Sequence, residues 1–281
     1  MTTGEALRLL RGFAQTPHGS IEWRGMGTSG HPLVMFHSTP SSAYHFEPHF
    51  PRLSRRARVI AMSTPGYGDS DDPPEPYTSI AEFAQTALWF LDAMELASVD
   101  LYGAWTGAQV AVELAAAHPD RVRRLVLEEP WDYGNPEGRA LHETIHRYIP
   151  EQEDGSHLVE LWKKYGGDRP GIDLEHFSRR FIDFLRANGE EPTYGAMGRE
   201  GAAPYCFTRY PFLARLPDVA APTLVIHGSG SKLMPAHQAC LDALPQGRGL
   251  ILPSTWIFTP DDAPEQWADA VLSFVTTGGE S

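Results

Sequence analysis

Short, continuous apolar runs recur along the chain at Leu33–Phe36, Val59–Met62, Val99–Tyr102, Leu125–Leu127, Leu224–His227 and Gly249–Leu252. Runs of this length without alternation suit strands buried on both faces of a parallel sheet. Glu22–Trp23 belongs to a further early strand. Between the runs, apolar residues return at helical spacing: Ile80, Phe83, Ala84, Ala87, Leu88 and Leu91 within Ile80–Met94, with similar patterns over Gln109–Ala117 and Ala263–Val275. Strands alternating with helices predict an α/β fold with a doubly wound, mostly parallel sheet.

The strand rhythm stops between about Trp131 and Pro211 and resumes at Pro222. Helical stretches at Gly138–Tyr148, Ser156–Tyr165 and Leu174–Asn188 fill the gap, joined by Gly- and Pro-rich turns. The pattern predicts a core made of residues 1–131 and 212–281, with residues 132–211 inserted as a helical cap.

Composition narrows the partners. A formal charge of −13 disfavours nucleic acid and anionic membranes, both of which need basic patches. No apolar run approaches the length of a membrane span. The opening segment has neither a basic start nor a continuous apolar core, so a cytoplasmic location is expected. Cys206 and Cys240, the only cysteines, lack metal-ligand spacing and read as buried thiols. No cofactor and no metal is expected; the default partner is a small molecule, and a homodimer stays open.

Several segments, taken in order, resemble the α/β-hydrolase fold family in its branch of esterases, haloalkane dehalogenases and epoxide hydrolases. His37-Ser38-Thr39-Pro40 is similar to the loop after the third strand, and Thr64 through Ser70 to the Pro-Gly turn after the fourth. Gly103-Ala104-Trp105-Thr106-Gly107 is similar to the nucleophile elbow, and His118 through Val122 to the segment that follows its helix. Pro222 through Gly228 resembles the strand before the acid loop, and Leu252 through Glu265 the histidine loop with its closing helix.

The resemblance places residues unfit for a triad at all its positions. Trp105 stands for the nucleophile, Ser231 for the acid and Ile257 for the histidine. An indole donates one N–H and does not ionise at physiological pH, so it cannot attack a carbonyl or haloalkane carbon. Thr106 carries a hydroxyl, but at that place in the turn it should point away from the nucleophile's position. Some enzymes of the family take their acid from the end of the sixth strand. There the resemblance implies Glu129, rather than Glu128, as an alternative acid: either a buried carboxyl of raised pKa available for proton transfer, or a glutamate bonded to loop amides.

The oxyanion site implied by the resemblance uses the backbone N–H groups of Thr39 and Thr106. His37 and His227 read as structural, and His45 and His49 as surface histidines near the pocket. Trp105, Trp131, Trp256 and Phe258 converge on one aromatic pocket, which predicts an apolar or aromatic ligand, or a cation over indole faces. The preferred reading is an atypical enzyme of lyase, isomerase or cyclase type in which Glu129 exchanges a proton. Two alternatives stay open: a ligand-binding pseudoenzyme, and a hydrolase or epoxide hydrolase with a displaced catalytic set.

Overall fold

Alternate residues of each central strand enter different apolar clusters, and this divides the molecule into layers. In the computed structural model, which describes residues 8–254 and 258–277, the strands are β1 (Leu10–Thr16), β2 (Gly19–Met26), β3 (Pro32–Phe36), β4 (Arg58–Met62), β5 (Val99–Ala104), β6 (Val122–Glu128), β7 (Thr223–Gly228) and β8 (Gly247–Leu252). They form one eight-stranded sheet in the order β1-β2-β4-β3-β5-β6-β7-β8. The β1–β2 and β2–β4 pairs are antiparallel, and every later pair is parallel.

The main helices are α1 (Ile80–Ala93), α2 (Thr106–Ala117), α3 (Pro136–Ile145), α4 (Ser156–Lys164), α5 (Leu174–Ala187), α6 (Ala202–Phe207), α7 (His237–Ala243) and α8 (Pro264–Thr277). Val34, Phe36, Leu101, Leu125 and Leu127 pack with Phe83 and Phe90 of α1 and Val110 and Leu114 of α2. Leu33, Met35, Tyr102 and Val126 face the other way, onto Phe46, Phe50 and the α8 residues Trp267, Val271 and Phe274. Burying apolar side chains on both faces is what a parallel sheet requires. Ser79 starts α1 with a capping box: Glu82 accepts from the Ser79 backbone N–H at 2.9 Å.

One strand reading needs correction. Among the described residues β8 pairs only with β7 and exposes several residues, so it is a half-buried edge strand and not one buried on both faces. β1 escapes the sequence pattern because only Ala14 of its residues is buried, which leaves no apolar alternation to detect.

Helices α3 to α6 lie between β6 and β7, where no strand occurs among the described residues. Asn135 and Asp173 cap two of them, accepting from the backbone of Gly138 at 2.7 Å and His176 at 3.0 Å. Helix α5 buries Phe177, Arg180, Asp183, Phe184 and Ala187, so an arginine and an aspartate are carried inward beside apolar residues. Among the described residues no helix is long and apolar enough to cross a membrane.

Candidate active site

The turn from β5 to α2 keeps the elbow's shape. Trp105 sits there at φ 54°, ψ −109°, a backbone state that costs a non-glycine residue about 1–3 kcal/mol. The flanking glycines are steric requirements: a Cβ on Gly103 would lie 2.4 Å from the Gly107 carbonyl oxygen, and one on Gly107 would lie 2.3 Å from that of Phe36. Trp105 donates its backbone N–H to the Glu128 carbonyl at 3.1 Å, and its indole meets the Phe258 ring with centroids 5.9 Å apart.

The neighbouring hydroxyl does not point idly away. Thr106 Oγ1 accepts the backbone N–H of Thr39 at 3.2 Å, so one of the two expected oxyanion donors is already engaged. Beneath this loop His37 is buried and its Nε2 accepts from the Thr64 backbone at 3.0 Å, the structural role expected of it. Burial pushes His37 down to about 4, which keeps the ring neutral and able to accept.

Both strand-end glutamates are buried, with opposite destinations. Glu129, at φ 50°, accepts from the Gly228 backbone at 2.7 Å and from Ser231 Oγ at 2.6 Å. Burial raises its carboxyl to about 7, with those two bonds partly offsetting the rise. Glu128 faces the α8 side, where one oxygen accepts from the Thr259 backbone at 3.0 Å and Oε2 has no hydrogen-bond partner among the described residues. Burial, reinforced by the charge of Glu129, holds Glu128 well above the ordinary carboxylate range.

A cavity of about 260 Å³ opens between the cap and the core, lined by His49, Arg52, Tyr165, Arg169, His176, Arg180, Phe258 and Asp261 among others. Arg180 is 6% exposed; its guanidinium lies 5.3 Å from the Phe258 ring centroid, and its Nε has no hydrogen-bond partner among the described residues. Among the described residues its ion pair in the site is a long one, 3.7 Å to Asp261 Oδ2. The other oxygen of Asp261 lies 3.6 Å from His49 Nε2.

The surface reading of His45 and His49 is overturned: they are 1% and 4% exposed. Both belong to the segment Ala43–His49, which folds as a 3-10 helix under the cap, a feature their spacing did not signal. Burial, then the charge of Arg180, holds His45 well below its ordinary value. Arg180 and Asp261 went unnoticed in the sequence; the detectable signal was an arginine in register with the buried aromatic residues Phe177 and Phe184 of α5.

The aromatic set is only partly assembled. Trp105 and Phe258 meet, whereas Trp131 lines a separate cleft of about 350 Å³ with Asp132, Asn135 and Leu213. Trp256 and Ile257 lie outside the described residues. His227 pairs with His237, Nδ1 to Nδ1 at 2.9 Å, and its Nε2 lies 3.3 Å from the Pro130 carbonyl, an arrangement of core support. Cys206 and Cys240 are buried free thiols. No group of three or more residues suited to a metal ion occurs among the described residues.

A sharp turn from a central strand into a helix, a mostly parallel eight-stranded sheet and helices set between β6 and β7 define a hydrolase-type scaffold. The chain belongs to the α/β-hydrolase fold family, whose model matches residues 31–255. It is 29% identical to a 2-hydroxymuconate semialdehyde hydrolase of Pseudomonas putida over 216 residues, covering 73% of this chain and 72% of the relative. It is 26% identical to the 2-hydroxy-6-oxo-6-(2'-aminophenyl)hexa-2,4-dienoic acid hydrolase of Metapseudomonas resinovorans, covering 92% of this chain and 89% of that one. Among solved structures, an E-2-(acetamidomethylene)succinate hydrolase superposes with a TM-score of 0.76 at 22% identity, covering 95% of this chain and 99% of that one, a likeness of fold.

Proposed function

We propose that this chain hydrolyses a small molecule carrying an aromatic or apolar body and a carboxylate, by direct attack of water and without a covalent enzyme intermediate. The observation that carries the reading is the cavity beneath the cap, where the buried guanidinium of Arg180 lies over the ring of Phe258. A guanidinium with an unpartnered N–H suits a carboxylate, and the adjoining Phe258 and Trp105 rings suit an apolar body. The relatives named above are hydrolases, two of them of semialdehyde and dienoic acid substrates, and this favours water as the second reactant. Trp105 supports the absence of a covalent step, since indole is no nucleophile.

The test is hydrolysis of mono-para-nitrophenyl glutarate, an ester with a free carboxylate, followed by release of para-nitrophenolate. A single turnover in heavy-oxygen water should place the label in the glutarate, and mass spectrometry should find no acyl adduct on the protein. An acyl-enzyme would overturn the reading, as would failure to turn the ester over.

A second reading rests on a different group. Glu129, close to half protonated at neutrality, suits proton transfer in a lyase or isomerase without hydrolysis. On that reading Glu129→Gln lowers turnover by about 10²–10⁴ while ligand binding changes little; on the hydrolytic reading the ester is still cleaved by the Gln variant.

A further inference from the structure

Helix α5 meets its two neighbours through different chemistry. Toward α4 the contact is aromatic: Trp162 faces Phe177 and Phe181 with ring centroids 4.8 and 5.2 Å apart, and Tyr165 meets Phe184 at 4.2 Å. Toward the core it is carried by polar side chains. His176 stacks on Tyr44 at 5.5 Å, Arg180 reaches Asp261 and the face of Phe258, Asp183 accepts the hydroxyl hydrogen of Ser42, and Arg186 pairs with Asp69 at 2.8 Å. Leu161, Phe177 and Phe184 are buried, yet among the described residues they belong to neither apolar cluster of the core. Helix α6, by contrast, packs Ala203, Cys206 and Phe207 into the cluster that holds α1 and α2.

Separating an apolar contact forfeits its whole burial, whereas groups along a polar seam regain water. Helices α4 and α5 therefore hold each other more firmly than they hold the core. Ala187 in the core cluster, and the bonds of Lys164 and Tyr165 to buried Glu200, tether the pair at one end. Tyr165, Phe177 and Arg180 of this pair line the cavity opposite Arg52 and Phe258 of the core.

One contact along the seam responds to protons. Asp183 is 6% exposed and faces Ser42 on the loop after β3, with Glu22 and Arg24 of β2 nearby and Arg186 of its own helix at 3.8 Å. Burial alone would raise Glu22, but the Asp69 backbone at 3.0 Å, the Ser63 hydroxyl at 2.7 Å and Arg24 at 2.8 Å outweigh it and keep Glu22 ionised. Arg24 is divided between Glu22 and Glu47, and Arg186 is half exposed and shared with Asp69. A second carboxylate shut in beside one already ionised favours a proton.

We propose that α4 and α5 form a lid over the cavity whose closure takes up one proton, carried by Asp183 where it meets Ser42. Burial, helped by the charge of Glu22, raises the closed-state carboxyl from 3.8 to about 6, against the opposing effects of the Ser42 bond, Arg186 and Arg24. With the lid lifted the carboxyl is in water and returns to its ordinary value. The closed form thus binds the proton more tightly, so closure is favoured in acid and weakens as pH rises from about 4 to about 6, by up to about 10²-fold, and then levels off. The proton comes from solvent, and no bond other than its O–H is made. Arg180 lies one turn before Asp183 on the same helix, so the closure that takes up the proton also sets the guanidinium in the cavity wall.

Amide hydrogen exchange of the full chain, corrected for intrinsic rates, reads the opening of α5 apart from that of the core. The α5 amides from Ser178 to Ala187 should exchange faster than those of α1 from Phe83 to Leu91, as a lid that opens by itself requires. Their protection should fall by about 10- to 30-fold between about pH 4.5 and pH 7. Asp183→Asn should flatten this fall, and Glu129→Gln should leave it. Ser42→Ala, which removes the donor that favours the charged form, should move the fall to higher pH, and it decides the matter if Asp183→Asn does not fold. Exchange of α5 no faster than that of α1, a flat profile in the wild type, a fall retained in Asp183→Asn, or an unmoved midpoint in Ser42→Ala overturns the proposal.

Discussion

Ser231 donates its hydroxyl hydrogen to Glu129 across 2.6 Å, so the loop after β7 serves a carboxyl that arrives from the neighbouring strand. The two positions are alternatives in sequence and partners in space. The hydrogen bond joins the loop after β7 to the end of β6.

That carboxylate predicts a pH dependence. Its folded-state value of about 7 exceeds the ordinary 4.5, so the native state binds more protons than the unfolded chain across that window. Stability therefore falls as pH rises from about 4.5 to about 7, by roughly 3 kcal/mol at full extent, and then levels off. Glu129→Gln should flatten this limb. Urea denaturation at the two ends of the window measures it, and an unchanged slope in the variant would assign the titration to another group.

Fluorophosphonate probes should label neither the wild type nor Trp105→Ser. A serine at the elbow would still face an oxyanion loop whose Thr39 N–H is taken by Thr106, and Ile257 supplies no base. Intact-mass spectrometry after probe treatment gives the answer; rapid labelling of the serine variant would show that the elbow alone suffices.

Arg180→Met should weaken binding of benzoate by about tenfold or more, the value of a charge-assisted hydrogen bond lost in a buried place. Trp105→Ala should cost about 1–3 kcal/mol of affinity for the same probe if its indole shares the wall with Phe258. Calorimetric titration separates the two, because the arginine effect should shrink for benzamide and the tryptophan effect should not.

Gly107→Ala should prevent folding or destabilise by more than about 3 kcal/mol, since its Cβ would lie 2.3 Å from a backbone oxygen of β3 that cannot swing aside. The melting temperature of Gly107→Ala against that of an exposed control, Gly171→Ala, tests this. Gly171 has no heavy atom within 4 Å of its would-be Cβ, so the control reports only the strain of its positive φ.

The sheet was legible because its central strands are buried on both faces and so appear as unbroken apolar runs. The elbow was legible because glycines flank a residue that no packing rule would place there. The exposed β1 and the edge strand β8 carry too few buried side chains for either pattern to specify them. The polar cavity was hidden for another reason: His49, Arg180 and Asp261 come from three separate segments. His49 and Asp261 read locally as ordinary surface residues, and only Arg180, in register with Phe177 and Phe184, carried a local signal. Glu129 lay between these cases, since its position was legible while its bond to Ser231 depended on the turn after β7.

Gly103 and Gly107 also bear on how such chains should be sorted. Each is demanded by a strand and a helix that touch backbone to backbone, and neither contact involves the side chain between them. The pair is a joint in the carpentry, indifferent to the tool mounted on it. A search keyed to those glycines therefore retrieves proteins that share a frame, and the reactivity of each must be read from the single position the frame leaves free.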